Sequence, residues 1–226
     1  DKLYKDAIAY FDRSLKFKLN KTIAASCKYW KAEALFNSGD FKNAVETYED
    51  FIYAPGAVLT PYFNLANYNI GYAFFQQDKF IEAPSWFRSF TSYSREKGQV
   101  KLTDANLRIG DSYFMLNQYD AAFEYYEIAD KQGKSDPDYA LYQMAMTQGL
   151  MKKMKGKQES LEKLTKNYPE SHFLDAAYYE LGRVDVALGN NEEALSKFNK
   201  VVDQFPGSSY VRKSLASIGQ TYYNQQ

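Results

Sequence analysis

Five stretches of this chain can be laid on one another without a gap, and any fold must accommodate that repetition. They are YWKAEALFNSGDFKNAVETYEDF (29–51), YNIGYAFFQQDKFIEAPSWFRSF (68–90), LRIGDSYFMLNQYDAAFEYYEIA (107–129), YQMAMTQGLMKKMKGKQESLEKL (142–164) and YELGRVDVALGNNEEALSKFNKV (179–201). A small residue recurs in the first half of each: Ala32, Gly71, Gly110, Ala145 and Gly182, with Gly219 in a sixth partial copy. A second small position holds Ala44, Ala83, Ala122 and Ala194, with Lys157 in the fourth copy and Ala7 in an upstream half-copy. Along that position, from 7 through 44, 83, 122, 157 and 194, successive intervals are 37, 39, 39, 35 and 37 residues. Such a period belongs to stacked helix pairs, each too small to bury its apolar face alone.

Helix physics accounts for the pattern. Two helices cross closely only where a side chain is small. Bulk then fills the space beside the crossing, and Tyr48, Phe87, Tyr126 and Phe198 share one position on the second helix. Apolar residues such as Ala122, Phe123, Tyr126 and Ala129 follow the three-to-four-residue helix period. Ser38-Gly39-Asp40 and Gly189-Asn190-Asn191 read as turns between paired helices. Pro169 and Pro206 fall after second helices, in YPES and FPGSS, where proline ends one helix and permits the next. The expected fold is all-α.

With a glycine or alanine on helix A, then alanine, phenylalanine or tyrosine, and alanine on helix B, then proline, the sequence resembles the tetratricopeptide repeat (TPR) family over nearly its whole length. The resemblance implies a right-handed superhelical solenoid of antiparallel helix pairs. Departures from the family pattern have expected consequences. Lys31 takes the place of the helix A leucine in the first full repeat. Lys157 replaces the close-packing alanine of the fourth, so that pair is expected to splay or the lysine to snorkel outward. The segments YWKAEALFNSGDF, NYPES and QFPGSS resemble bacterial envelope members: Tol–Pal accessory proteins and outer-membrane assembly lipoproteins. That resemblance implies a periplasmic or outer-membrane-associated location, with the cytoplasm as the alternative.

One array over 1–226 is expected: a half-repeat at 1–18, full repeats at about 22–56, 60–97, 100–134, 137–168 and 171–206, and a lone helix at 208–223. The array opens on a second helix and closes on a first helix, with Tyr222 and Tyr223 beside the end. It therefore reads as a fragment of a longer array, or as a chain whose unpaired terminal helices meet in an oligomer.

Composition narrows the function classes. The 28 basic and 28 acidic residues cancel, which argues against a nucleic-acid binder. No apolar run reaches the length of a transmembrane helix. Cys27 is the only cysteine and reads as a small buried hydrophobe; His172 is the only histidine and reads as a capping or packing residue near a helix start. A lone Cys and a lone His in distant repeats make neither a nucleophile–base pair nor a zinc site, and no phosphate-binding glycine motif is present. No enzyme activity, cofactor or metal is expected. Glu192-Glu193 and the group Glu124, Glu127 and Asp130 read as solvated helix faces. Lys152, Lys153, Lys155 and Lys157 form the densest charge run, a solvated turn or a surface for an acidic partner or anionic lipid. Asn20-Lys21-Thr22 matches a glycosylation sequon.

The 21 tyrosines and 16 phenylalanines point to binding instead. The TPR resemblance implies that helix A lines a concave face, with inward positions three before the small residue (−3), one after it (+1) and four after it (+4). These positions supply the candidate partner-binding residues Tyr29, Phe36, Tyr68, Tyr72, Phe75, Phe114, Tyr142 and Tyr179. Aromatic side chains there suit an extended peptide or a partner helix. Tyrosine beside a helix crossing also packs well on the adjacent repeat, and the sequence leaves both uses open. A protein-interaction scaffold is the leading function. The alternatives are a structural spacer in an envelope assembly and a carbohydrate- or lipid-handling helical domain.

Overall fold

The computed structural model describes residues 2–17, 20–93 and 100–224; the expected ends of the first half-repeat (1 and 18) and of the second full repeat (94–97) lie outside the described residues. The chain divides into two compact units, Asp1–Gln118 and Tyr119–Gln226. In the N-terminal unit the helices are α1 (Lys2–Ser14), α2 (Lys21–Asn37), α3 (Phe41–Ile52), α4 (Phe63–Phe75), α5 (Ala83–Tyr93) and α6 (Val100–Met115). The C-terminal unit holds α7 (Tyr119–Gln132), α8 (Pro137–Leu150), α9 (Met154–Asn167), α10 (Leu174–Leu188), α11 (Asn191–Gln204) and α12 (Tyr210–Tyr223). Among the described residues there is no strand.

Within each unit, paired helices such as α2 and α3, or α10 and α11, pack together across connections of a few residues. Connections that short force the partners antiparallel. The expected all-α class of helix pairs is what each unit shows. The crossings are close because glycine makes them so. A Cβ built on Gly71 would stand 2.9 Å from the Phe87 ring, and one on Gly182 would stand 2.5 Å from the Phe198 ring. Tyr48, Phe87, Tyr126 and Phe198 are all fully buried. Each is worth about 1.5–3 kcal/mol of burial, which is why this position stays aromatic or apolar.

The turn inside each pair is one recurring device. Seven residues after the helix A small position, the backbone enters the left-handed region at Gly39, Asp78, Asn117, Lys152 and Gly189. The amide one residue further on reaches back to helix A: Asp40 to Leu35, Lys79 to Phe74, Gln118 to Tyr113, Lys153 to Gln148 and Asn190 to Asp185. These long reverse bonds satisfy carbonyls that the helix end leaves without a partner. Glycine adopts the conformation freely at two of the five turns, whereas Lys152 does so at a cost of about 1–2 kcal/mol. At the other helix ends, the Asn20 side chain accepts the Thr22 amide at 2.8 Å and Asp40 accepts the Asn43 amide at 3.3 Å. The sequon asparagine is thus a helix cap.

Lys157 corrects the expectation of a splayed pair or an outward lysine. It is buried, and its ammonium pairs with the buried Glu180 carboxylate. Room for its stem comes from Gly149, where an added Cβ would lie 3.2 Å from the lysine Cδ. Gly156 opens similar room for Gln148, whose Oε1 accepts the Ser160 hydroxyl at 2.8 Å. Pair α8/α9 therefore stays closed around a polar filling, because burying both charges together satisfies each.

Candidate functional site

The helix A positions define a face in each unit, carried by α2, α4 and α6 in one and by α8, α10 and α12 in the other. Its −3 tyrosines are joints between successive pairs. The partner sits nine residues before the next small position. Tyr29 stacks on Tyr62 at 4.5 Å and 10°, Tyr142 on Phe173 at 4.9 Å and 17°, and Tyr179 lies against Tyr210 at 5.3 Å. Where that place holds lysine, Lys101 Nζ lies 5.1 Å from the centre of the Tyr68 ring. Tyr29 is only 2% exposed, so it is not available to a partner: its ring is consumed by Tyr62, Trp30, Tyr48 and Phe51. Phe36, Tyr68, Tyr72, Phe75, Phe114, Tyr142 and Tyr179 are half-buried and keep part of their surface open. The +4 phenylalanines also clasp the turn, Phe36 against Phe41 and Phe75 against Phe80.

Two carboxylates organise the hydroxyls of the N-terminal unit. Glu33 accepts from Tyr48 at 2.6 Å and from the Asn69 amide, and Asn69 also reaches the Tyr29 and Tyr48 hydroxyls at 3.2 Å. Asp104 accepts from Tyr68 at 2.7 Å and from Tyr72 on the same Oδ2, while Arg108 approaches its other oxygen at 3.4 Å. Burial, then the hydrogen bond to a neighbouring carboxylate, pushes the hydroxyl pKa of Tyr29, Tyr48, Tyr68 and Tyr72 far above the ordinary tyrosine value. The phenols are held neutral and fixed in place. Rings so fixed lose little rotamer freedom when a ligand arrives.

In the C-terminal unit the joints are serine–aspartate clasps. Ser171 donates to Asp138 at 2.6 Å and accepts the Phe173 amide at 3.1 Å; Ser208 donates to Asp175 at 2.5 Å and accepts the Tyr210 amide at 3.0 Å. These are the serines of YPES and FPGSS. Ser171, not the exposed His172, supplies the polar contact at that helix start. The Tyr142 hydroxyl pKa is raised, by burial first and then by Tyr210.

Position −2 escaped the sequence reading. It holds Asn69, Arg108 and Glu180, and each reaches back to the preceding pair: Asn69 to Glu33, Arg108 over the Phe75 ring at 5.9 Å, Glu180 to Lys157. The signal was present as an unbroken run of polar residues two places before each small residue from the second copy onward. At the last joint, position −2 is Ser217, and a cavity of about 210 Å3 opens between α10, α11 and α12. It is lined by Arg183, Val186, Phe198, Ser217, Gln220, Thr221 and Asn224.

Other expectations meet the structure as follows. Cys27 is half-buried, with its sulfur 3.7 Å from the Ser14 hydroxyl. Asp130 is not a solvated carboxylate: its side chain is largely buried and accepts from Lys163 at 2.6 Å, while Glu127 pairs with Lys131 at 2.8 Å. The lysine run does not act as one patch, because Lys157 points inward and Lys153 approaches Asp120 at 3.6 Å. Among the described residues, no group of three His, Cys, Asp or Glu side chains is placed to hold a metal ion, and no helix is long and apolar enough to cross a membrane.

Comparison with known proteins places this geometry. Two family models, both described as tetratricopeptide repeat, match the sequence, one at residues 104–132, 139–171 and 176–208 and the other at 25–55. No curated protein matches the chain. Among solved structures, YrrB, described as a TPR protein with an unusual peptide-binding site, superposes with a TM-score of 0.66 at 20% identity, over 87% of this chain and 92% of that one. MamA from Desulfovibrio magneticus RS-1 gives 0.64 at 16% identity, over 82% and 97%. The apo form of RapI gives 0.79 at 13% identity, over 98% of this chain and 66% of that one. At these identities the likeness is one of fold.

Proposed function

Because the chain belongs to the tetratricopeptide repeat family, we propose that it is a protein-interaction scaffold that takes a peptide or partner helix on its helix A faces. One observation carries this reading. Tyr68 and Tyr72, half-buried on α4, are locked by a single Asp104 oxygen, with Phe75 and Arg108 beside them. That is a rigid aromatic surface whose Arg108 guanidinium is paired with Asp104 and Asp111, the kind of aromatic anchor that concentrates binding energy. The peptide-binding site named for YrrB supports the reading by analogy. Peptide capture from a random twelve-residue display tests it. Tyr72→Ala with Phe75→Ala lowers binding about tenfold or more. Tyr53→Ala, beyond the end of α3 and 80% exposed, leaves it unchanged. Equal binding by all three proteins overturns the reading. A bacterial envelope setting is part of the proposal and rests on the YWKAEALFNSGDF, NYPES and QFPGSS segments; fractionation of cells expressing the full-length gene tests it.

A further inference from the structure

Position −2 governs how full the groove is between one helix A and the next. At the joint between α8 and α10 it is packed shut: the Lys157 stem crosses Gly149 and its ammonium meets Glu180. One repeat later all three elements of that plug are replaced. Gly149 becomes Val186, Lys157 becomes Ala194, and Glu180 becomes Ser217. The space that the plug occupies stands open there as the 210 Å3 cavity, with Phe198 at its base and Val186 on its wall.

The rim of this cavity carries charge. Arg183 is more than half exposed and bonds Glu180 Oε1 at 3.1 Å, while the other Glu180 oxygen takes Lys157. Two cations share one carboxylate, so one positive charge is left over, and it belongs to the exposed partner. Gln220 and Thr221 add neutral hydrogen-bonding groups beside it. The volume falls below the ~300–1,000 Å3 usual for small-molecule and cofactor sites and suits a single side chain. An apolar base rejects a charged side chain, which would lose its hydration there. The unshared charge on Arg183 attracts a carboxylate, to which guanidinium bonds in matched geometry.

We infer that this pocket takes one leucine- or methionine-sized side chain of a partner protein, with an aspartate or glutamate of the same partner held by Arg183. The inference rests on the proposal that helix A faces bind peptide, and adds the chemistry of the partner. An array of twelve-residue peptides tests it, pairing a fixed leucine or methionine with each residue type at the next position. The wild-type chain favours an acidic residue there by about tenfold over a basic one. Arg183→Glu inverts that preference, an outcome that misfolding cannot imitate. Val186→Gly, Ala194→Lys and Ser217→Glu together transplant the plug and abolish the preference, while peptides that use the α4 face still bind. Peptide binding without acidic preference, or a preference that survives both sets of substitutions, overturns the pocket and leaves the groove reading standing. Absence of any peptide binding by the wild type overturns both.

Discussion

In the N-terminal unit, Glu33 gathers the Tyr48 hydroxyl and the Asn69 amide, while Asp104 gathers the Tyr68 and Tyr72 hydroxyls of the preceding pair. In the C-terminal unit, Asp138 and Asp175 each take one serine from the turn ahead, 33 residues on in both cases. The first arrangement differs at every joint; the second repeats. The family models match consecutively at 104–132, 139–171 and 176–208 but only at 25–55 before residue 104. Between the first two repeats, the chain adds a 3-10 turn at Ala57–Leu59, entered through Gly56 at φ +87. Regular joints need only short-range turn chemistry. Irregular ones place fixed aromatic rings on an exposed face, and the candidate partner surface on α4 lies among them.

The largest effect is expected where the regular unit is itself irregular. Glu180→Ala leaves Lys157 buried without its counterion and costs about 3–5 kcal/mol, read as a lowered denaturation midpoint. Lys157→Met with Glu180→Leu restores most of it, because an apolar pair of similar bulk needs no counterion. Stability below that of Glu180→Ala alone would show that the charges do more than fill the groove. Next comes a direct comparison of joints. Asp104→Ala strips the acceptor from two tyrosines and costs about 2–3 kcal/mol, whereas Ser208→Ala costs about 1 kcal/mol. Equal losses would erase the distinction between the units.

Alkaline titration gives a smaller effect. The hydroxyls of Tyr29, Tyr48, Tyr68 and Tyr72 have raised pKa in the folded chain, as does that of Tyr142 in the C-terminal unit. A raised folded pKa stabilises fully below the unfolded value, near pH 10, and that stability is lost as pH rises toward the folded value. These phenols therefore stabilise the N-terminal unit fully up to about pH 10, and it unfolds as pH rises above that. Both tryptophans, Trp30 and Trp86, lie in it, so their fluorescence reads that alkaline transition. A fluorescence transition completed well below about pH 10 would contradict the anchored hydroxyls.

Much of this was legible in the sequence, because small residues at fixed spacing can do little but mark helix crossings. Gly71, Gly182 and the four buried rings behave as their spacing requires. Turns were half legible: Gly39 and Gly189 advertise a left-handed backbone, while Asp78, Asn117 and Lys152 adopt it without announcing it. Lys157 was misread because its explanation lies at Gly149 and Glu180, which the repeat pattern treats as unrelated positions. The −3 tyrosines were ambiguous for a similar reason. Their partners, Tyr62, Phe173 and Tyr210, lie at the very start of the next helix A or just before it and fall outside the aligned segments.

The central claim, that partners bind on helix A faces, is tested most directly by hydrogen–deuterium exchange with and without the tightest peptide from the display. Protection confined to helix A elements, in α4 and α6 or in α10 and α12, is the predicted result. Protection confined to α3, α5, α9 and α11, with helix A exchange unchanged, would contradict it.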